Sequence, residues 1–220
     1  DDLGRLRSAF FASTRYIALA AIPITVITMV FAEDFIVVAY GKKWFQAVTP
    51  LQLLAVYGLA RSIAVNMGNV FKAGGRPKWL LYIAAWRLAT MAALLYPAIR
   101  FAGINGVAGL SALVAIVDFV LSLVLTNRIL RAPWRRYSET LVPMLLAAVG
   151  TTMLCHQGYL YIGHSLHPFI GLPLMGGLAL AIYGGLMYLY DPDLRALVAH
   201  ALATLQEYRR TRLARGQARA

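Results

Sequence analysis

Long apolar runs separated by short polar breaks dominate this chain. A helix needs about 20 predominantly apolar residues to cross the hydrocarbon core of a bilayer. Six stretches meet that requirement, at about 15–40, 46–71, 78–101, 105–130, 139–162 and 168–190. The connections YGKK, KAGGRPK, AGING and RAPWRR are short and rich in turn formers, so consecutive helices run antiparallel. Pro23 predicts a kink in the first span. The pattern changes in the last thirty residues, where Leu194, Leu197, Val198, Leu202 and Leu205 recur at helical spacing and arginines follow. That segment reads as an amphipathic helix on the membrane surface with a basic end.

The predicted fold is all-α: an integral membrane helix bundle of six transmembrane helices. Residues 1–134 carry four of them, 135–190 an additional pair, and 191–220 a basic amphipathic tail. Composition agrees: 60% of the 220 residues are hydrophobic and 14% charged, too apolar for an ordinary soluble domain. The net charge of +12 is scattered between apolar runs rather than gathered into a phosphate-neutralising surface, so nucleic acid is not an expected partner.

Charge placement sets the orientation. Arg5, Arg7, Arg15, Lys72, Arg76, Lys78, Arg128, Arg131, Arg135, Arg136 and the arginines of the tail fall on one side of the six spans. Lys42, Lys43 and Arg100 fall on the other. Both termini are therefore expected in the cytoplasm. The chain begins DDLGRLRSAF, without a methionine or a cleavage site, and reads as a piece of a longer protein. The single cysteine, Cys155, reads as a small apolar residue.

No phosphate-binding loop, dinucleotide fingerprint or cysteine-pair metal signature is present, and no enzymatic activity or cofactor is expected. His164 and His167, in an outer loop without a carboxylate nearby, read as wet interfacial histidines rather than a metal site. Trp44, Trp79, Tyr82 and Tyr161 read as interfacial anchors.

The candidate chemistry lies inside the spans. Arg61, Arg87 and Asp118 fall near the middles of the second, third and fourth. Each costs about 2.5–3.5 kcal/mol at a helix centre, and such residues face a protein interior or a watery cavity. At 100° per residue, Arg61 shares a sector with Gly58, Ser62, Asn66 and Asn69, while Leu59, Ile63, Met67 and Val70 form an opposite, lipid-like face. Ser111, Asp118 and Ser122 share a face of the fourth span, and Thr90 and Met91 lie near Arg87. One acid, Asp118, offsets one of the two arginines and not both. At least one positive charge is left to face a cavity and an anionic substrate such as a diphosphate or acidic sugar. Glu33 and Asp34 mark an outer helix end or pair with Lys42 and Lys43. Together with Asp118 they are also the candidates for ion coupling.

The stretch 40–81, YGKKWFQAVTPLQLLAVYGLARSIAVNMGNVFKAGGRPKWLL, resembles a segment of bacterial polysaccharide flippases, the Wzx-like exporters of the multidrug/oligosaccharidyl-lipid/polysaccharide superfamily. The matching elements are Gly41 and Trp44 after an acidic helix end, LQLLAVYGLARS at 51–62, and the turn AGGRPK at 73–78. GINGVAGL at 103–110 opens the next span as it does in that family. The resemblance covers about 15–130, and the last two spans match in hydropathy and position only.

It implies two helical lobes around a central cavity that opens alternately inward and outward. It also implies movement of undecaprenyl-diphosphate-linked sugar units across the bacterial inner membrane, for exopolysaccharide, capsule or O-antigen synthesis. Arg61 occupies a position where that family presents cavity cations to its anionic substrate. Arg87, Asp118, Asn66, Asn69 and Ser62 join the candidate cavity from depth and polarity alone. The chain would then be the C-terminal part. Its expected partners are the lipid-linked oligosaccharide, membrane lipid, a missing N-terminal lobe, and a polysaccharide polymerase with its export machinery. Without that lobe it is not expected to transport. A small-molecule or drug antiporter of the same superfamily is the alternative, disfavoured because it needs an acid-rich cavity. A membrane-bound glycosyltransferase or assembly anchor ranks lower, because the loops are short and basic.

Overall fold

The computed structural model of the chain describes residues 2–162, 168–191 and 194–195. His164, His167 and most of the expected surface helix of the tail, Leu197, Val198, Leu202 and Leu205 included, lie outside the described residues. Regular structure among the described residues is helical: α1 (Asp2–Val30), α2 (Ala32–Tyr40), a 3-10 turn (Lys42–Ala47), α3 (Val48–Ala73), α4 (Lys78–Leu130), α5 (Trp134–Ile162) and α6 (Pro168–Tyr190). Packing divides the chain into two compact units, Asp1–Leu180 and Ala181–Ala220. In the second, the end of α6 leads to Asp191, whose Oδ1 accepts a hydrogen bond from the Leu194 N–H.

Among the described residues, five elements are long and apolar enough to cross a membrane, against six predicted spans. The difference lies in α4, which contains both the third and the fourth predicted span in 53 residues. A straight helix of that length would extend about 80 Å, against a hydrocarbon core of roughly 30 Å. It is not straight. Arg87 and Asp118, 31 positions apart, meet at 3.0 Å, whereas a straight helix would hold them about 46 Å apart. Gly103 stands midway between them, with φ 55° and ψ −133°, a conformation that side chains disfavour. At Gly106 a Cβ would lie 2.1 Å from the carbonyl oxygen of Ala98. The two glycines therefore form the corner of a helical hairpin, and the two expected crossings survive as its arms.

The second arm is long and apolar enough to cross, so residues 103 and 131 are expected on opposite faces of the membrane. Alkaline phosphatase fused after Gly103 and after Arg131 is expected to give opposite activities. Equal activity at both points would contradict the fold-back.

The first span also differs from expectation. α1 runs through Pro23 and ends at Val30, and the interruption falls at Phe31, with φ −93° and ψ 8°. At the other end of the bundle, the end of α4 is closed by its neighbours. Arg131 adopts the left-handed conformation, and its N–H donates to the Asn127 carbonyl. The Asn127 side chain accepts from the Ala132 N–H, and Arg7 of α1 donates from Nε and Nη2 to the Leu130 carbonyl. These contacts satisfy carbonyls and donors that a helix end otherwise leaves open. Arg136 stacks over the Phe11 ring at 4.6 Å.

α3 packs between α1 and α4, and α5 packs on α1. The main core cluster gathers Phe10, Phe11, Ile63, Met67, Val70, Phe71, Ile83, Leu130 and Tyr137. Ile63, Met67 and Val70 are thus packed inside the protein and not turned to lipid as expected. Lipid tails are as apolar as leucine, so an apolar helix face gives no sign of which of the two it meets. Cys155 is buried and unpaired.

Candidate functional site

Each charged residue of the candidate site sits on a different arm of the bundle. Arg61 lies at the middle of α3, Arg87 on the first arm of the α4 hairpin and Asp118 on the second. Asp118 Oδ2 accepts from Arg61 Nη1 at 3.3 Å and from Arg87 Nη1 at 3.0 Å. The Asp118 side chain is 1% exposed, the arginine side chains 33% and 32%. The carboxylate is sealed in, while both arginine side chains remain about one third exposed.

This changes the expected arithmetic. Neither arginine is the one left over, because both share a single carboxylate oxygen. The cluster still carries one surplus positive charge, since arginine stays protonated in proteins. That charge is spread over two partly exposed arginine side chains instead of residing on one residue. Asp118 Oδ1 is buried without a hydrogen-bond partner.

The remaining polar candidates do not converge on this cluster. Ser62 Oγ donates to the Gly58 carbonyl, Thr90 Oγ1 to Trp86 and Ser111 Oγ to Val107, each one turn back along its own helix. Such local bonds satisfy a hydroxyl inside an apolar helix. Asn66 is buried, and its side-chain amide donates to Thr14 Oγ1 at 2.9 Å and to the Phe10 carbonyl at 3.5 Å. It ties α3 to α1 and has no open side, contrary to its expected place in a cavity. Asn69 is exposed and Ser122 buried.

The three proposed coupling acids are not brought together either. Asp118 belongs to the arginine cluster, and Asp34 of α2 meets His156 of α5, its Oδ2 lying 3.3 Å from the imidazole Nε2. Phe31 packs edge-on against His156 at 5.1 Å and Tyr159 at 6.0 Å. Glu33 is exposed beside a shallow pocket that Asp34, Lys42 and Phe45 also line. His156 was not anticipated. The available signal was an ionisable residue within a predicted span, in MLCHQG. Among the described residues no group of three or more His, Cys, Asp or Glu is placed to hold a metal ion. A cavity of about 620 Å³, lined by Phe31, Phe35, Leu51, Phe169 and Pro173 among others, includes none of the three cluster residues.

Fold and cluster together define a multi-pass helical membrane protein with a net-cationic centre between its helices. Comparison with known proteins narrows this further. Residues 1–49 match the model of a family described as polysaccharide biosynthesis protein. The teichuronic acid biosynthesis protein TuaB of Bacillus subtilis (strain 168) is 26% identical over 144 residues, 65% of this chain and 30% of that protein. The lipopolysaccharide biosynthesis protein WzxC of Escherichia coli (strain K12) is 29% identical over 142 residues, 62% of this chain and 28% of that one. An uncharacterized membrane protein in the cps region of Klebsiella pneumoniae is 34% identical over 73 residues, 33% of this chain and 15% of that protein. No solved structure matches significantly. The resemblance read from the sequence is borne out: the chain is similar to membrane proteins of polysaccharide biosynthesis. It spans less than a third of the length of the curated relatives it matches.

Proposed function

We propose that the chain is the C-terminal part of a flippase for lipid-linked oligosaccharide. It moves undecaprenyl-diphosphate-linked sugar units from the cytoplasmic to the outer leaflet of the bacterial inner membrane, with both ends of this segment in the cytoplasm. The observation that carries the reading is the surplus positive charge of Arg61, Asp118 and Arg87, held at mid-helix on arginine side chains that are partly exposed. An uncompensated cation in a membrane is expensive and is kept where it meets a counter-charge. A diphosphate or an acidic sugar supplies one. Arginine suits both, because its planar fork bonds two oxygens at once. Similarity to TuaB and WzxC supports placing that substrate in a polysaccharide pathway.

The test is polymer export in cells. With the complete polypeptide, Arg61→Ala is expected to insert and accumulate normally but to fail to restore export in a strain lacking the gene. Export at the wild-type level would contradict the cavity role of Arg61.

A further inference from the structure

The geometry points to Asp118 as an internal competitor for the substrate's anionic group, a carboxylate that the arriving anion displaces from Arg61 and Arg87. This inference rests on the functional reading above and assigns the acid a role that reading leaves open.

Three observations carry it. Both guanidinium groups converge on one oxygen, Oδ2, and neither forms the two-pronged bond that a carboxylate can accept. At 3.0 and 3.3 Å both bonds exceed the roughly 2.7–2.9 Å of strong charge-assisted pairs. Oδ1, on a side chain that is 1% exposed, has no partner at all. Asp118 thus sits at the spot where an anion's oxygen would be bonded by two arginines, yet holds them loosely.

Each arginine has further N–H donors beyond the one that meets Oδ2, on a side chain that is about one third exposed. An anion with several oxygens reaches those donors first and then takes the pair from Oδ2. The carboxylate it leaves is buried without partners, a state that strongly favours the return of the arginines. That return expels the anion. Asp118 is a positioning residue in this scheme: it holds the two arginines together when the site is empty and limits how tightly the anion is kept.

A site whose competent state is only partly populated binds with an affinity reduced by that fraction. Removing the carboxylate charge frees both arginines. In the complete purified protein, Asp118→Asn is therefore expected to bind inorganic pyrophosphate about tenfold more tightly than wild type. The same variant is expected to export polymer at least about tenfold more slowly, because release is impaired. Arg61→Gln is expected to weaken pyrophosphate binding.

Calorimetric titration with pyrophosphate, with glucuronate and with neutral glucose reads these outcomes. A gain in Asp118→Asn for pyrophosphate assigns the displaced position to a diphosphate. A gain confined to glucuronate supports the competitor role and assigns it to a sugar carboxylate. Unchanged or weaker binding of both anions by folded Asp118→Asn overturns the inference. Arg61→Gln and Arg87→Gln variants that bind both anions like wild type would instead sink the functional reading.

Should Asp118→Asn fail to fold, the wild-type protein still decides. Labelling of Asp118 by an apolar carbodiimide, read by peptide mass spectrometry, is expected to rise when pyrophosphate is added. Unchanged or reduced labelling overturns the inference.

Discussion

Gly106→Ala is expected to abolish accumulation of folded protein, although it adds a single methyl group. A Cβ there would lie 2.1 Å from the Ala98 carbonyl oxygen and 2.9 Å from its carbon. Both are backbone atoms, so no rotamer change relieves the contact. The corner must open, and the α4 arms that carry Arg87 and Asp118 must separate. Ordinary overpacking costs about 1–3 kcal/mol because side chains and backbone share the adjustment. A clash between two backbones at a hairpin corner lies above that range, and whole proteins are stable by only about 5–15 kcal/mol. Gly109→Ala is the control, since a Cβ there meets its nearest neighbour, Leu53 Cδ1, at 3.9 Å. Yield and monodispersity after detergent extraction check the pair. Wild-type behaviour of Gly106→Ala would mean that the hairpin corner is not as close as described.

The second large effect is chemical. Arg61→Gln together with Arg87→Gln is expected to eliminate transport while leaving the fold assembled. The double variant removes every positive charge from the cluster and leaves Asp118 buried among neutral side chains. Without its cationic partners the buried Asp118 carboxyl takes up a proton, and no positive charge remains to receive a diphosphate. Either single variant leaves one arginine paired with Asp118, and the surplus charge disappears in both cases. The singles are therefore expected to lose most of the activity, and the double to lose little beyond that. Residues acting as one unit are non-additive in this way. Additive losses would mean that the two arginines act independently.

How much of this was legible in the sequence depends on which physical signal each feature leaves. Hydropathy and length gave the crossings, because a bilayer imposes one thickness on every span. AGING marked the connection, but its tightness was hidden: a helical φ and ψ continue on both sides of Gly103, and only that one residue departs. Arg61, Arg87 and Asp118 were found by cost, since a charge at mid-span demands a reason. Their pairing was not readable, because it depends on where the hairpin brings Arg87 relative to α3. Helical-wheel reasoning grouped Asn66 with Arg61, yet the width of a sector does not say which neighbour fills it. α1 fills the part around Asn66 through Thr14. Ser62, Thr90 and Ser111 look polar in sequence but satisfy themselves on their own helices. The contact of Asp34 with His156 joins positions 122 apart, a separation over which sequence pattern carries no information.

Flipping itself can be followed directly. The complete protein is reconstituted in liposomes with a fluorescent undecaprenyl-diphosphate oligosaccharide, and the exposure of the sugar to an impermeant quencher is followed in time. Wild-type protein is expected to accelerate exchange between leaflets, and the Arg61→Gln, Arg87→Gln double variant, equally well inserted, is not. Equal exchange rates for the two proteins would contradict the proposed role of the two arginines.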